Sequence, residues 1–160
     1  MIFHRERLNG LQLDVANCAL AIANAFKKQL DRDTFIVFGY RSNEAQQALY
    51  EEGRTLQNEV WVVSDASKIV TNAPPGLSAH NYACAVDLWV MNADNSNIDW
   101  DNIYARSILG TTARQFDTIL WGGDYTGSFK DIDHIEFKDW LQVKAATLKI
   151  DTYQAPSIAS

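Results

Sequence analysis

Ser78-Ala79-His80-Asn81-Tyr82-Ala83-Cys84-Ala85-Val86-Asp87-Leu88-Trp89-Val90 is the stretch around which this chain is organised. Its second half, Ala85–Val90, is a short, almost unbroken apolar run that reads as a buried strand. Its first half follows Asn72–Leu77, where Pro74-Pro75-Gly76 enforces a loop. Loop chemistry thus passes straight into core chemistry, with His80 and Asp87 on either side of the join.

Working outward, Val15, Ala19, Ile22, Ala23, Phe26 and Leu30 recur near the 3.6-residue period and predict a helix over Leu11–Leu30. Thr34–Tyr40 reads as a second buried strand. Ser42 caps a helix over Asn43–Gly53. Trp61–Ser64 and Lys68–Thr71 read as extended, Asp94–Asp101 as a polar acidic loop, and Asn102–Arg114 as helix. Turn-rich Gly122–Asp133 leads into a short strand, His134–Phe137, and Lys138–Lys149 reads as a last helix. Helices and strands mix without regular βα alternation, which predicts an α+β fold.

The 160 residues fit one domain, expected over 1–151 with a C-terminal tail at 152–160. Hydrophobic residues at 47% and charged residues at 21% exclude a disordered chain. Net charge −6 argues against nucleic acid and against an anionic membrane surface as partners. No apolar run approaches the ~20 residues of a membrane span, and the charged N-terminus lacks a signal-peptide core. Cys18 and Cys84 form no CxxC pair and read as small buried hydrophobes.

Of the three histidines, His4 lies in a charged terminus and reads as surface. His80 and His134 each have carboxylates close along the chain, a donor set that suits Zn²⁺. The seven-residue offset from His80 to Asp87 is odd, so a regular strand would point them to opposite faces, and a helix would separate them by about 10 Å. They share a metal only if the chain turns between them. Spacing alone weighs a metal site and a histidine satisfied by a nearby carboxylate equally. It also leaves open whether Asp131 or Asp133 faces a metal.

Three groups of residues follow one another along the chain. The first is Phe38-Gly39-Tyr40-Arg41-Ser42, with Glu44, Gln46, Leu49-Tyr50 and Gly53-Arg54-Thr55; the second is Ser78-x-His80, with Ala85 and Asp87. The third is Trp121-Gly122-Gly123-Asp124 with Asp131-x-x-His134-Ile135-Glu136. In this order they resemble the N-terminal, central and C-terminal motifs of the zinc D-Ala-D-Ala carboxypeptidase and L-alanyl-D-glutamate endopeptidase family. The resemblance implies a Hedgehog/D,D-peptidase-like domain, with a small antiparallel sheet and flanking helices. It implies His80, Asp87 and His134 as Zn²⁺ ligands, Asp131 as general acid/base, Arg41 facing the scissile carbonyl oxygen and Ser78 as a substrate contact. Asp133 then reads as a solvated turn carboxylate, and Glu136 either orients a ligand or lies on an exposed strand.

Two positions depart from the family pattern. Ala83 stands where the motif has glycine, and Tyr125 where tryptophan is common. A positive φ at Ala83 would cost about 1 kcal/mol or more and could displace His80.

The short chain looks most like a phage endolysin of this group. That likeness implies a monomer cutting the L-Ala-D-Glu bond of the peptidoglycan stem peptide. It would be held in the host cytoplasm until a separate holin-type partner releases it to the wall. The rival readings are a D-Ala-D-Ala carboxypeptidase or dipeptidase, whose substrate's free carboxylate asks for an extra cation, and a non-catalytic wall-binding domain, suggested only by Ala83.

Overall fold

A computed structural model describes residues 1–127 and 130–156. Its five-stranded sheet takes the order β1 (Ile2–Phe3), β2 (Thr34–Phe38), β5 (Ala85–Val90), β7 (His134–Phe137), β6 (Ile119–Trp121). The expectation of an antiparallel sheet needs one correction: β1 runs parallel to β2, so the sheet is mixed. The other pairings are antiparallel. The parallel pair arises because the 3-10 turn Arg5–Leu8 and helix α1 (Leu13–Leu30) lie between β1 and β2 as a crossover.

Helix α1 is the main support of the sheet. Gln12 caps it by accepting the Val15 N–H at 2.9 Å, and Asp31 closes it in the left-handed region. Val15, Cys18, Ala19, Ile22 and Phe26 are buried against Ile36, Val86, Leu88 and Ile135, with α3 (Ile103–Ala113) packed beside α1. Both cysteines lie in this core, and burial pushes the Cys18 thiol up to about 12 and that of Cys84 to about 11.

The remaining elements are α2 (Asn43–Glu51), a separate hairpin of β3 (Arg54–Gln57) and β4 (Val60–Val63), and α4 (Trp140–Lys144). Lys68–Thr71 is not a strand: Ala66–Lys68 turns as a 3-10 helix capped by Asp65. The last helix ends early because Ala146 adopts φ 55° and the Thr147 and Leu148 N–H groups return to the Gln142 carbonyl. The packed chain runs past residue 151. Thr152 bridges Gln12, the buried Tyr153 donates its N–H to the Leu11 carbonyl, and the Ala155 N–H donates to Asn9. Residues 157–160 of the expected tail lie outside the described residues. Among the described residues, no helix is long and apolar enough to cross a membrane.

Candidate metal centre and active cleft

Two local features bring His80 and Asp87 together across their odd spacing. Ala79–Tyr82 forms a 3-10 turn, and Ala83 then takes φ 56°, ψ 27°, reversing the chain into β5. Asp87 lies directly across from His134 in the antiparallel β5–β7 register, so both side chains leave the same face. A register irregularity between Ile36 and Phe38 of β2, opposite Leu88 and Asp87, lies beside this pair.

His80 Nε2, Asp87 Oδ1 and His134 Nδ1 converge. Asp87 Oδ1 is 2.8 Å from His134 Nδ1 and 3.3 Å from His80 Nε2, and the two ring nitrogens are 3.3 Å apart. All three side chains are buried or nearly so. The outer ring nitrogen fixes the His80 tautomer. His80 Nδ1 lies 2.7 Å from the Gly39 carbonyl, which can only accept, so that nitrogen carries the proton and Nε2 is left with its lone pair. His134 Nε2 lies 3.2 Å from Glu136 Oε2, which can accept its proton and leave Nδ1 with a lone pair toward the centre. Glu136, 14% exposed, is thus turned to the His134 ring rather than to solvent.

Two lone pairs and a carboxylate oxygen packed this closely repel one another unless a cation lies among them. A metal ion meets that demand: ligands about 2.0–2.1 Å from a tetrahedral ion sit about 3.3 Å apart, matching two of the three edges. Without metal the demand falls on a proton. Burial works against an imidazolium, but Asp87 and Glu136 outweigh it and raise His134 to about 10. Burial likewise disfavours the Asp87 charge, yet His80 and His134 hold its carboxyl well below the usual carboxylate range.

The triad opens into a cleft of about 570 Å³, whose lining also includes Arg41, Ser78, Tyr125, Asp131, Asp133 and Glu136. Arg41 is 9% exposed, 3.5 Å from Asp87 Oδ2, and burial lowers its pKa against the pull of Asp87 and Asp131. Its Nε is a buried donor without a partner among the described residues. Ser78 stands at the N-terminal edge of the His80 turn, where the Asn81 side chain accepts its backbone N–H. His4 is exposed, next to Glu6.

Asp133 is not the solvated turn residue expected. Its carbonyl accepts the Leu88 N–H at 2.9 Å, which draws the loop beneath β5 and brings the side chain into the cleft with Asp131. Burial, then Asp87 and Asp131, push the Asp133 carboxyl up.

Two amides, one buried and one half-buried, have roles that the sequence reading did not assign. Gln46, on α2 and fully buried, accepts from Arg41 Nη1 at 3.0 Å and donates to the Ala73 carbonyl at 2.7 Å. Asn81 donates to the Arg41 carbonyl at 2.9 Å and accepts from the Gly76 N–H at 3.0 Å. The Arg41 N–H itself reaches the His80 carbonyl. Arg41 and His80 are thereby parts of one hydrogen-bonded unit. Gln46 is the one buried residue of α2, and the only sequence signal for it was its place in the N-terminal motif.

Residues 9–142 match the family model VanY, D-alanyl-D-alanine carboxypeptidase. The chain belongs to the VanY family. Over 111 residues it is 35% identical to the peptidoglycan L-alanyl-D-glutamate endopeptidase CwlK of Bacillus subtilis (strain 168), covering 65% of this chain and 60% of CwlK. It thus spans about three fifths of that relative's length. The L-Ala D-Glu endopeptidase ChiX of Serratia marcescens shares the fold, with a TM-score of 0.56 and 21% identity over 86% of this chain and 90% of ChiX. So does a vancomycin-resistance D,D-pentapeptidase VanY solved with Zn(II), at 0.53 and 16% over 86% of this chain and 80% of that one.

Proposed function

We propose that this protein is a zinc-dependent peptidase that hydrolyses the L-Ala-D-Glu bond of the peptidoglycan stem peptide. The observation that carries the reading is the convergence of His80 Nε2, Asp87 Oδ1 and His134 Nδ1 at the floor of a cleft that also holds Arg41 and Asp131. The choice of bond rests on the identity to CwlK.

Zinc bound by these three side chains would supply an acidified water and polarise the scissile carbonyl. The chain's own residues do the rest. Asp131 takes a proton from the attacking water and returns it to the leaving amine. Arg41, held by Gln46 and by the turn that carries His80, presents a fixed positive charge to the developing oxyanion. Glu136 keeps the His134 proton on Nε2, away from the centre. Ser78 at the rim is placed to hydrogen-bond the substrate backbone.

The test is mass spectrometry of purified peptidoglycan digested by the zinc-loaded protein. New N-terminal D-Glu is the expected product. Loss of terminal D-Ala would replace this reading with a carboxypeptidase, and an unaltered wall with a binding domain.

The same reading extends to a lytic role of the endolysin type, with a membrane-disrupting partner releasing the protein from the host cytoplasm. Net charge −6 supports it, because such a domain gains nothing electrostatically from an anionic envelope. Externally added protein should clear permeabilised Gram-negative cells and leave intact ones turbid. Equal clearing of both would refute the need for a partner.

A further inference from the structure

The loop that carries Asp131 is pinned at three successive residues. The Asp131 N–H donates to the Gly122 carbonyl at 3.2 Å, the Ile132 carbonyl accepts Trp121 Nε1–H at 2.9 Å, and the Asp133 carbonyl accepts the Leu88 N–H at 2.9 Å. Two of these ties are backbone to backbone. The third is made by a side chain, and that side chain is Trp121.

Trp121 sits in a slot that leaves it little freedom. A Cβ added to Gly110 of α3 would lie 2.5 Å from the indole ring, and one added to Gly123 would overlap the same ring. The Arg114 guanidinium covers the indole with its carbon 4.9 Å from the ring centroid, itself fixed by two hydrogen bonds to Asp124. The indole is 6% exposed. Between Trp121 and the loop, Gly122 is so close to Asp131 that a Cβ there would overlap the Asp131 carbonyl oxygen. The Trp-Gly-Gly sequence is therefore a contact surface shaped to the back of the Asp131 loop, wedged against α3 by its indole.

We propose that Trp121 is a positioning residue for the general base. Its indole, packed against Gly110 and Gly123, donates its N–H to the Ile132 carbonyl and so fixes the direction in which Asp131 enters the cleft. Misplacing a catalytic group by about 1 Å costs as much as 100-fold in rate, so one tether one residue away is sufficient to matter. This inference rests on the assignment of Asp131 above.

The tether and the catalytic consequence are tested separately. In Trp121→Phe the ring stays and the donor is lost. Amide hydrogen exchange at Asp131 and His134 should accelerate in metal-free and zinc-loaded protein alike, while Met91, whose N–H is bonded to the Asp33 carbonyl away from the loop, keeps its protection. On peptidoglycan, kcat should fall about 10- to 100-fold with KM and zinc affinity unchanged. Trp121→Phe placed on Asp131→Asn should cost almost nothing more, because the two act through one group. Gly122→Ala, which pushes on the same loop from the strand side, should reproduce the exchange and rate changes.

If Trp121→Phe does not fold, site-specific benzothienylalanine at 121 replaces only the N–H with sulfur and gives the same readouts. Unchanged exchange in the folded variant would overturn the tether. Faster exchange with unchanged kcat, or full additivity with Asp131→Asn, would overturn the positioning role. A wild-type protein inert on peptidoglycan would instead refute the peptidase reading, and the exchange comparison would still decide whether the tether exists.

Discussion

The side-chain oxygen of Gln46 accepts a hydrogen bond from Arg41 Nη1 at 3.0 Å while its nitrogen donates to the Ala73 carbonyl at 2.7 Å. One buried amide thus joins the cationic residue of the cleft to the loop forming its outer wall. Gln46→Leu should leave the Ala73 carbonyl unpaired at a cost of about 1–3 kcal/mol. At roughly 2–4 °C per kcal/mol for a chain of this size, melting should drop measurably. Arg41 would lose its anchor as well, so kcat/KM should fall about 10-fold or more with zinc content intact. Gln46→Glu keeps an acceptor for Arg41 and loses the donor to Ala73. It should melt low yet retain more activity than Leu. Equal activity in the two variants would show that Arg41 does not depend on this residue.

Asp131 and Asp133 stand in the same cleft. Burial and two neighbouring carboxylates favour the protonated form of Asp133, and an asparagine side chain is a close neutral mimic of that form. Asp133→Asn should therefore change kcat only a few-fold. Asp131→Asn should lose about 10²–10⁴-fold while retaining zinc, the scale of a general acid/base. Steady-state kinetics with metal analysis on both variants decides the matter. A reversed order would move the base to Asp133.

The large elements were legible because their periodicity is strong: Val15, Ala19, Ile22 and Phe26 marked α1, and Ala85–Val90 its facing strand. Strands of two or three residues, Ile2–Phe3 and Ile119–Trp121, carry no period to read, so neither is visible in the sequence, nor is the parallel β1–β2 pair. Likewise, nothing local announces that Ala146 leaves the helical region. At the site, the three linked motifs pointed to His80, Asp87 and His134. The supporting roles did not show, even for Gln46 and Trp121, which stand within those motifs. Gln46, Asn81 and Trp121 act through backbone carbonyls at distant positions, and a carbonyl acceptor leaves no mark in the sequence. Asp133 reads wrongly as solvated because its burial depends on a backbone tie to Leu88.

The proton that stands in for the metal gives the metal-free protein a particular pH dependence. His134 is raised to about 10 in the folded state, above the ~6.5 of an unfolded imidazole. Its contribution to stability is therefore complete below about pH 6.5 and is lost as pH rises through about 10. Asp87 is depressed, so its contribution is present above the ordinary carboxylate range and is lost as pH falls. Metal-free protein should accordingly melt lower at each step from pH 7 to pH 10. With zinc bound, His134 is a neutral ligand throughout, and that slope should vanish. Melting curves at matched ionic strength, with and without chelator, provide the check. Parallel slopes would mean that no proton occupies the centre.

Ala83 sits at φ 56°, ψ 27°, the left-handed conformation that a side chain makes costly, and its carbonyl accepts the Gln12 N–H at 2.8 Å. That conformation costs a non-glycine residue about 1–2 kcal/mol, while glycine gives back about 0.5–1 kcal/mol in unfolded-state entropy. Ala83→Gly should thus stabilise by about 0.5–1 kcal/mol and raise melting by roughly 1–4 °C. The strain does not reach His80, three residues earlier, because that residue is held by the Gly39 carbonyl through its ring and by the Arg41 N–H through its own carbonyl. The glycine variant should therefore gain stability while its turnover and its zinc affinity stay unchanged. Turnover that instead speeds up by about an order of magnitude, the scale on which a misplaced group is felt, would reveal that Ala83 does hold His80 out of place and that the strain reaches the centre.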